Sequence, residues 1–176
     1  MGDNPPFATA SFGRDRPAVI VGLICLSALG TFLAQGLLFP SLPRLMVEEI
    51  GTTKRTAGLI MTAASLSALL SRPWTGQFID RHGRRLFLIL GPLLTAVSGV
   101  GLLAARSVPQ LLVLRLLQGL AGAMFYGAAS ASVSDVAPND RRATYLARYS
   151  LFFYVGFATG PALAELLIST RGFDAV

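Results

Sequence analysis

Long runs without a charged side chain constrain this chain more than any other feature of its sequence. Residues 18–39 and 86–105 are runs of 22 and 20 positions that contain no Asp, Glu, Lys or Arg. An α-helix needs about 20 apolar residues to cross the ~30 Å hydrocarbon core of a bilayer, so both runs can span a membrane. Only 14% of the chain is charged, against about a quarter in a typical soluble domain. This pattern excludes an ordinary soluble domain.

Three further segments complete a predicted set of five membrane spans. Each is mostly apolar and is interrupted by a single Arg or Glu: residues 56–79, 107–134 and 149–168. The predicted fold is therefore all-α and polytopic, with about five transmembrane helices over residues 18–176. Residues 1–17 are polar and contain Pro5 and Pro6, which predicts a disordered tail. The run that follows them is too long for the apolar core of a secretory signal, which has about 7–15 residues.

The basic residues predict how the chain is oriented. Nine Lys and Arg flank the spans on the side of the N-terminus and five lie on the opposite side. Cytoplasmic loops carry the excess of Lys and Arg, so the N-terminus is predicted to be cytoplasmic in a multi-pass protein of the cell membrane. The formal net charge of +6 is interpreted as this orientation signal, and no nucleic-acid partner is predicted.

The connection between the second and third runs has an unusual composition. Residues 76–85 read GQFIDRHGRR, with two glycines and one acid among the basic residues. We expect Gly76 to allow close helix packing, and Gly83 to permit a left-handed turn. We expect Asp80 to accept hydrogen bonds from a neighbouring helix N-terminus at the membrane edge. A plain hairpin with a positive loop is the simpler alternative, but it needs no such spacing.

This segment resembles the signature loop of the major facilitator superfamily, G-x-x-x-D-R-x-G-R-R. We call residues 76–85 the signature loop. The resemblance implies that Asp80, Arg81 and Arg84 latch the two halves of a transporter on the cytoplasmic face. Arg85 completes the pattern. The family also carries an acid after the fourth span, and Asp135 holds that position here. Asp135 is expected to pair with Arg81 or Arg84.

Span four contains a second pattern, which begins at its only charged residue. Arg115, Gln118, Gly119 and Gly122 resemble the R-x-x-Q-G-x-G-A pattern of the same family, here with Ala121 as an additional residue before Gly122. An Arg inside a span costs roughly 2.5–3.5 kcal/mol by insertion scales, which favours a functional role. The resemblance implies proton coupling near a central cavity. The alternative is that Arg115 reaches back to the membrane interface with its long side chain.

Span five contains a third pattern. Gly156, Gly160 and Pro161 resemble the antiporter motif of the family, G-x-x-x-G-P-x-x-G-G. Pro161 removes a backbone donor and the glycines allow close packing, so this helix can act as a hinge or as a seal. Ala164 and Glu165 replace the final two glycines, which weakens the antiporter assignment. Ordinary helix packing is the alternative.

Two more polar residues within spans are candidates for coupling or for the cavity. Glu165 either carries a proton or lies at the outer interface close to Arg171. Gln35 is the only strongly polar side chain of span one. It either contacts a substrate or forms a hydrogen bond across helices.

Together the three patterns imply an incomplete N-terminal six-helix half of a twelve-span transporter with inverted repeats. The implied function is secondary active transport of a small solute by alternating access in the full-length protein, as proton-coupled efflux. The implied partners are the solute, protons, the bilayer and the missing C-terminal half. An importer of a sugar or organic acid and a non-transporting fragment remain alternatives. The sequence contains no Walker loop and no metal-spaced Cys and His set, so no enzyme, cofactor or metal site is predicted.

Overall fold

The computed structural model describes residues 17–48 and 50–171 as a bundle of long helices. The predicted disordered tail lies outside this part of the chain, apart from Pro17. Five α-helices run in chain order, with one short 3₁₀ turn at Asn139–Arg141 before the last: α1 Pro17–Glu48, α2 Lys54–His82, α3 Arg84–Ala104, α4 Val108–Val136 and α5 Arg142–Arg171. Each predicted span coincides with one of these helices.

The helices extend beyond the apolar runs that predicted them. α1 continues past Phe39 through Pro40 and Pro43 to Glu48. Each proline removes one backbone donor, but a helix tolerates this near its end when other groups satisfy the local carbonyls. The carbonyls that lose their helical donor here are those of Gly36 and Phe39, four residues before the prolines. The apolar run therefore ends nine residues before the helix does.

The outward-facing side chains form an apolar surface that suits lipid or further membrane helices better than water. Ile89, Leu93, Val97 and Val100 form a stripe along α3, and Ile89 and Val100 are each 68% exposed. A soluble monomer rarely leaves such a continuous apolar surface in water. Within the described residues, α1, α3, α4 and α5 are long and apolar enough to cross a membrane.

α2 is the exception among the long helices. Its second half carries Arg72, Gln77, Asp80 and Arg81, so it does not reach the same apolar character. It nevertheless runs against α4, where the Ser67 hydroxyl donates to the Leu116 carbonyl at 2.7 Å. The second predicted span, over residues 56–79, therefore stays a prediction as a membrane span.

The helices pack in two groups. α1 packs mainly against α5, whereas α4 lies between α2 and α3. We call the end with the α2–α3 and α4–α5 connections the predicted cytoplasmic end, and the opposite one the predicted outer end. One buried cluster joins α1, α4 and α5 near the first end, around Phe32, Phe125 and Tyr149. A second joins α1 to α2, α3 and α4 near the other end, around Met46 and Leu111.

Candidate functional site

The signature loop turns at Gly83. This residue has φ +84°, and its N–H donates to the Ile79 carbonyl at 3.0 Å, ending α2. Only glycine adopts this region of φ without strain, and the sequence places one there. α3 begins at the next residue, Arg84, so the turn brings the two helices together in a single residue.

Arg84 connects this turn to the far end of α4. Its guanidinium forms an ion pair with Asp135 and donates to the Ala131 carbonyl at 2.7 Å. Arg84 lies in the first turn of α3 and Asp135 in the last turn of α4. A positive charge at the start of a helix and a negative charge at its end are both unfavourable with respect to the helix dipole. The ion pair offsets both, because the two charges neutralise each other. Arg84 is one of the two partners predicted for Asp135.

Three other residues of the signature loop have no contact in the described structure that accounts for their place in the pattern. Gly76, Asp80 and Arg81 are exposed, and nothing lies within 4 Å of a Cβ placed at Gly76. Asp80 and Arg81 form no hydrogen bond or ion pair with any residue that the structure describes. The close approach predicted for Gly76 and the hydrogen bonds predicted for Asp80 are not made by residues 17–48 and 50–171, and both stay predictions. In this part of α2, the helix packs through a different face, which carries its buried residues Ser71, Thr75 and Ile79.

Arg115 and Gln118 form a buried pair on α4. Arg115 is only 6% exposed, and its Nη1 donates to Gln118 Oε1 at 2.6 Å. Its Nη2 lies 3.1 Å from the sulfur of Met61 on α2. Gln118 lies one turn further into the helix, so the guanidinium points along the bundle interior. The alternative in which Arg115 reaches the interface does not fit this geometry.

The pair leaves hydrogen-bond donors without acceptors. Arg115 Nε and Gln118 Nε2 are buried and have no hydrogen-bond partner, and the same holds for Gln35 Nε2 on α1. Gln35 faces α4 at Gly122, where a Cβ would lie 3.4 Å from its Nε2. None of the ion pairs of residues 17–48 and 50–171 brings a carboxylate to Arg115. The site therefore combines a buried cation with unsatisfied N–H groups.

Gly119 allows α2 to approach α4 next to this pair. A Cβ at this position would lie 2.0 Å from the Ala64 carbonyl oxygen. Any side chain here would push α2 away from α4 and move Met61 off the guanidinium. The glycine thus positions the Arg115 site as well as packing the helices.

A seam of glycines joins α1 to α5. A Cβ at Gly156 would lie 2.6 Å from the Leu29 carbonyl oxygen, and one at Gly160 would lie 2.6 Å from Gly36. Pro161 also lies here, with its Cδ 3.2 Å from a Cβ placed at Gly36. The close packing predicted for this motif is present. Sequence reasoning missed Gly36, although a glycine inside an apolar helix already calls for a packing reason.

Glu165 lies further along the same seam. Its carboxylate accepts a hydrogen bond from Arg44 at 3.2 Å, and the two side chains are 53% and 44% exposed. Arg44 comes from the extension of α1 beyond Phe39. A paired and half-exposed carboxylate near the end of the bundle fits the interface alternative, with Arg44 as its partner. Sequence reasoning missed Arg44 because it lies outside the apolar run.

A family model described as Major Facilitator Superfamily matches residues 24–176. The chain belongs to the Major Facilitator Superfamily. Its signature loop, Arg115 site and glycine seam thus lie in a chain of transporter ancestry. The superfamily is one of membrane transporters, which agrees with the four apolar helices and a multi-pass location.

Two relatives within the superfamily carry descriptive names. The chain is 27% identical over 136 residues to the quinolone resistance protein NorA of Staphylococcus aureus strain MRSA252. It is 26% identical over 136 residues to multidrug resistance protein 1 of Bacillus subtilis strain 168. Each match covers 77% of this chain and 35% of the relative. The chain therefore spans about a third of the length of these curated relatives.

Proposed function

We propose that the full-length protein exports small organic solutes across the cell membrane by proton-coupled secondary transport. The observation that carries this proposal is the buried Arg115–Gln118 pair inside a membrane helix. A buried guanidinium without a carboxylate partner is costly in a membrane and marks a functional site. The relatives named for quinolone and multidrug resistance support a drug-like cargo and the outward direction.

The grouping of the helices supports transport by alternating access. The α1–α5 pair and the α2–α3–α4 group are each packed closely inside, and they meet along a thinner boundary. Gln35 and Gly122 lie on this boundary. Two buried clusters nevertheless cross this boundary, so in this proposal the described helices move as one body against the missing half, as alternating access requires.

The signature loop has a part in the proposal as a latch to the second half of the transporter. Asp80 and Arg81 are exposed and have no partner in the described chain. Charged groups at a membrane edge favour a partner, and the missing half would supply one. In this proposal the N-terminus and the signature loop are cytoplasmic.

An import function is the second candidate, and one observation favours it. Glu165 takes the place of a glycine in the antiporter motif and pairs with Arg44. The two directions differ in a simple measurement. Cells that express the full-length protein are loaded with a fluorescent drug, and its release is followed with and without a proton uncoupler. Uncoupler-sensitive release supports export, whereas accumulation faster than in control cells contradicts it.

Arg115→Ala is the matching test of the site. We expect this variant to abolish uncoupler-sensitive release, because it removes the buried cation, while the protein still inserts. Arg106→Ala is the control, because Arg106 is exposed in the α3–α4 connection. Normal release by the Arg115→Ala variant would assign Arg115 to anchoring and remove the main support of the proposal.

A further inference from the structure

A groove lies between α3 and α4 at the predicted outer end. It has a volume of about 510 Å³ and is lined by residues from the segments 101–105 and 109–114. We call it the outer groove. Small residues make room for it, because Gly101, Ala104 and Ala105 lie on the α3 side and Pro109 lies on the α4 side. Sites for small molecules typically have volumes of about 300–1,000 Å³, so the outer groove is large enough for a ligand.

The deeper part of the outer groove is apolar and open on one side. Its inner end is closed by Leu114, whose Cδ2 lies 2.8 Å from a Cβ placed at Gly101. Val113 on its wall is 62% exposed. Leu114 follows Val108, the first residue of α4, by six residues, which is about 9 Å along the helix. Because α3 and α4 are both apolar enough to cross a membrane, this part of the groove suits a hydrocarbon chain.

The rim of the outer groove is polar and offers only hydrogen-bond donors. Gln110 lines the groove, and its Oε1 accepts a hydrogen bond from the backbone N–H of Arg106 at 2.9 Å. This bond holds Gln110 beside the α3–α4 connection and leaves its amide N–H groups for a ligand. Arg106 directly follows Ala105 of the lining and is exposed. Its guanidinium adds further donors and a positive charge.

The charge of Arg106 is not neutralised by its own hairpin. Residues 86–134, which include α3 beyond its first two residues and nearly all of α4, contain no Asp or Glu. None of the ion pairs within residues 17–48 and 50–171 involves Arg106. Arg106 lies between two apolar helices and therefore at the level of the lipid headgroups, where a basic residue attracts anionic lipid. The charge complementarity of the rim thus favours an anionic headgroup.

We propose that the outer groove binds an anionic phospholipid, with its phosphate at Arg106 and Gln110 and the upper part of one acyl chain between α3 and α4. The order of the groups matches that of a phospholipid, since the cation and the amide lie at the membrane surface and the apolar walls lie below them. The phosphate supplies the acceptor oxygens that both side chains lack. The site is independent of the proposed export function, because Val113 is exposed on the outside of α4, whereas Arg115 is buried.

Photolabelling of the purified full-length protein tests this inference. The protein is placed in nanodiscs of phosphatidylcholine that contain a rising fraction of phosphatidylglycerol with a photoreactive diazirine in one acyl chain. Labelled peptides are identified by mass spectrometry after illumination. We expect saturable labelling of the peptide that contains residues 101–114. A phosphatidylcholine probe with the same chains should need an about fivefold higher fraction for half-maximal labelling, because one basic residue near the surface contributes about 1 kcal/mol toward an anionic lipid.

Two variants with matched controls separate the headgroup from the chain. Arg106→Gln should raise the half-maximal fraction of the phosphatidylglycerol probe about fivefold and leave that of the phosphatidylcholine probe unchanged. Arg55→Gln is its control, because Arg55 is also exposed at the predicted outer end but lies outside the groove. Ala104→Phe fills the groove and should abolish the saturable labelling with both probes. Val97→Phe is its control, since Val97 is 56% exposed on the same face of α3, two turns before Ala104.

Several results would overturn the inference. Even labelling of all exposed helix faces would show only the lipid that surrounds any membrane protein. No labelling of residues 101–114 would show that another part of the protein or a second copy covers the groove. Equal labelling by the two probes would exclude recognition of the headgroup, and loss of labelling in excess inorganic phosphate would indicate a site for a free anion. Because the assay involves no transport, each of these results leaves the proposed export function standing.

Discussion

The seam between α1 and α5 makes Gly160→Ala an informative substitution. A Cβ at Gly160 would lie 2.6 Å from the Cα and carbonyl carbon of Gly36, and 2.8 Å from the Leu37 nitrogen. All three atoms belong to the backbone of a continuous helix, so no side chain can rotate away. The only response is that α5 moves off α1 at this level.

The size of the effect follows from these distances. Ordinary contact begins at 3.4 Å, so the helices must separate by about 0.8 Å from the 2.6 Å position. A radial gap of about 0.5–1 Å forfeits roughly a quarter to a half of each dispersion contact. Overpacking of this kind typically destabilises by about 1–3 kcal/mol. In a chain of this size, this corresponds to a melting temperature lower by about 2–12 °C.

The assay is thermal unfolding of the detergent-solubilised protein, followed by size-exclusion chromatography of samples heated in steps. Gly30→Ala is the matched control, because Gly30 lies on α1 with nothing within 4 Å of its Cβ position. The control should be neutral or more stable by up to about 1 kcal/mol, since Ala favours the helix. Equal melting temperatures for Gly160→Ala and Gly30→Ala would refute the reasoning, because the close seam would then carry no stability.

Two further predictions concern the ends of the helices. Gly83→Ala should destabilise the protein by about 1–3 kcal/mol, because φ +84° is strained for any residue with a Cβ. Gly76→Ala should not destabilise it, because there is open space around Gly76. Equal thermal stability of the two variants would contradict the assignment of the turn. The Glu165→Gln variant should retain proton-driven release. Its free energy of unfolding should fall by at most about 1 kcal/mol, because the pair with Arg44 is half exposed. Loss of gradient-driven release with intact passive exchange would make Glu165 a proton carrier instead.

Local patterns in the sequence were sufficient for the elements of the fold. An uncharged run of about 20 residues has few alternatives to a membrane helix, because only a helix satisfies its own backbone in lipid. Gly83 was predictable for a similar reason, since a tight reversal needs a residue without a Cβ. The end of α1 was not predictable, because the apolar run ends at Phe39, whereas the helix continues through Arg44 to Glu48.

The partners of the candidate site residues depend on how the helices are rotated about their axes. Gln35 meets Gly122, and Glu165 meets Arg44. No local pattern encodes either contact, because each joins residues from distant parts of the chain. The motif match at Gly76 also shows that a local pattern does not identify the contact partner of a residue. It identified a family pattern, but the neighbour that Gly76 was expected to contact is absent from the described residues.

α1 belongs to both ends of the bundle. Phe32 lies in one buried cluster with Tyr149, while Met46 lies in the other with Leu111. Because α1 is packed near both of its ends, a movement of one end displaces the contacts at the other end as well. The Gln35–Gly122 contact lies between these two clusters, and α1 can pivot about it. A displacement at one membrane face would then reach the other face through the rigid backbone of α1, without a relay of side-chain contacts.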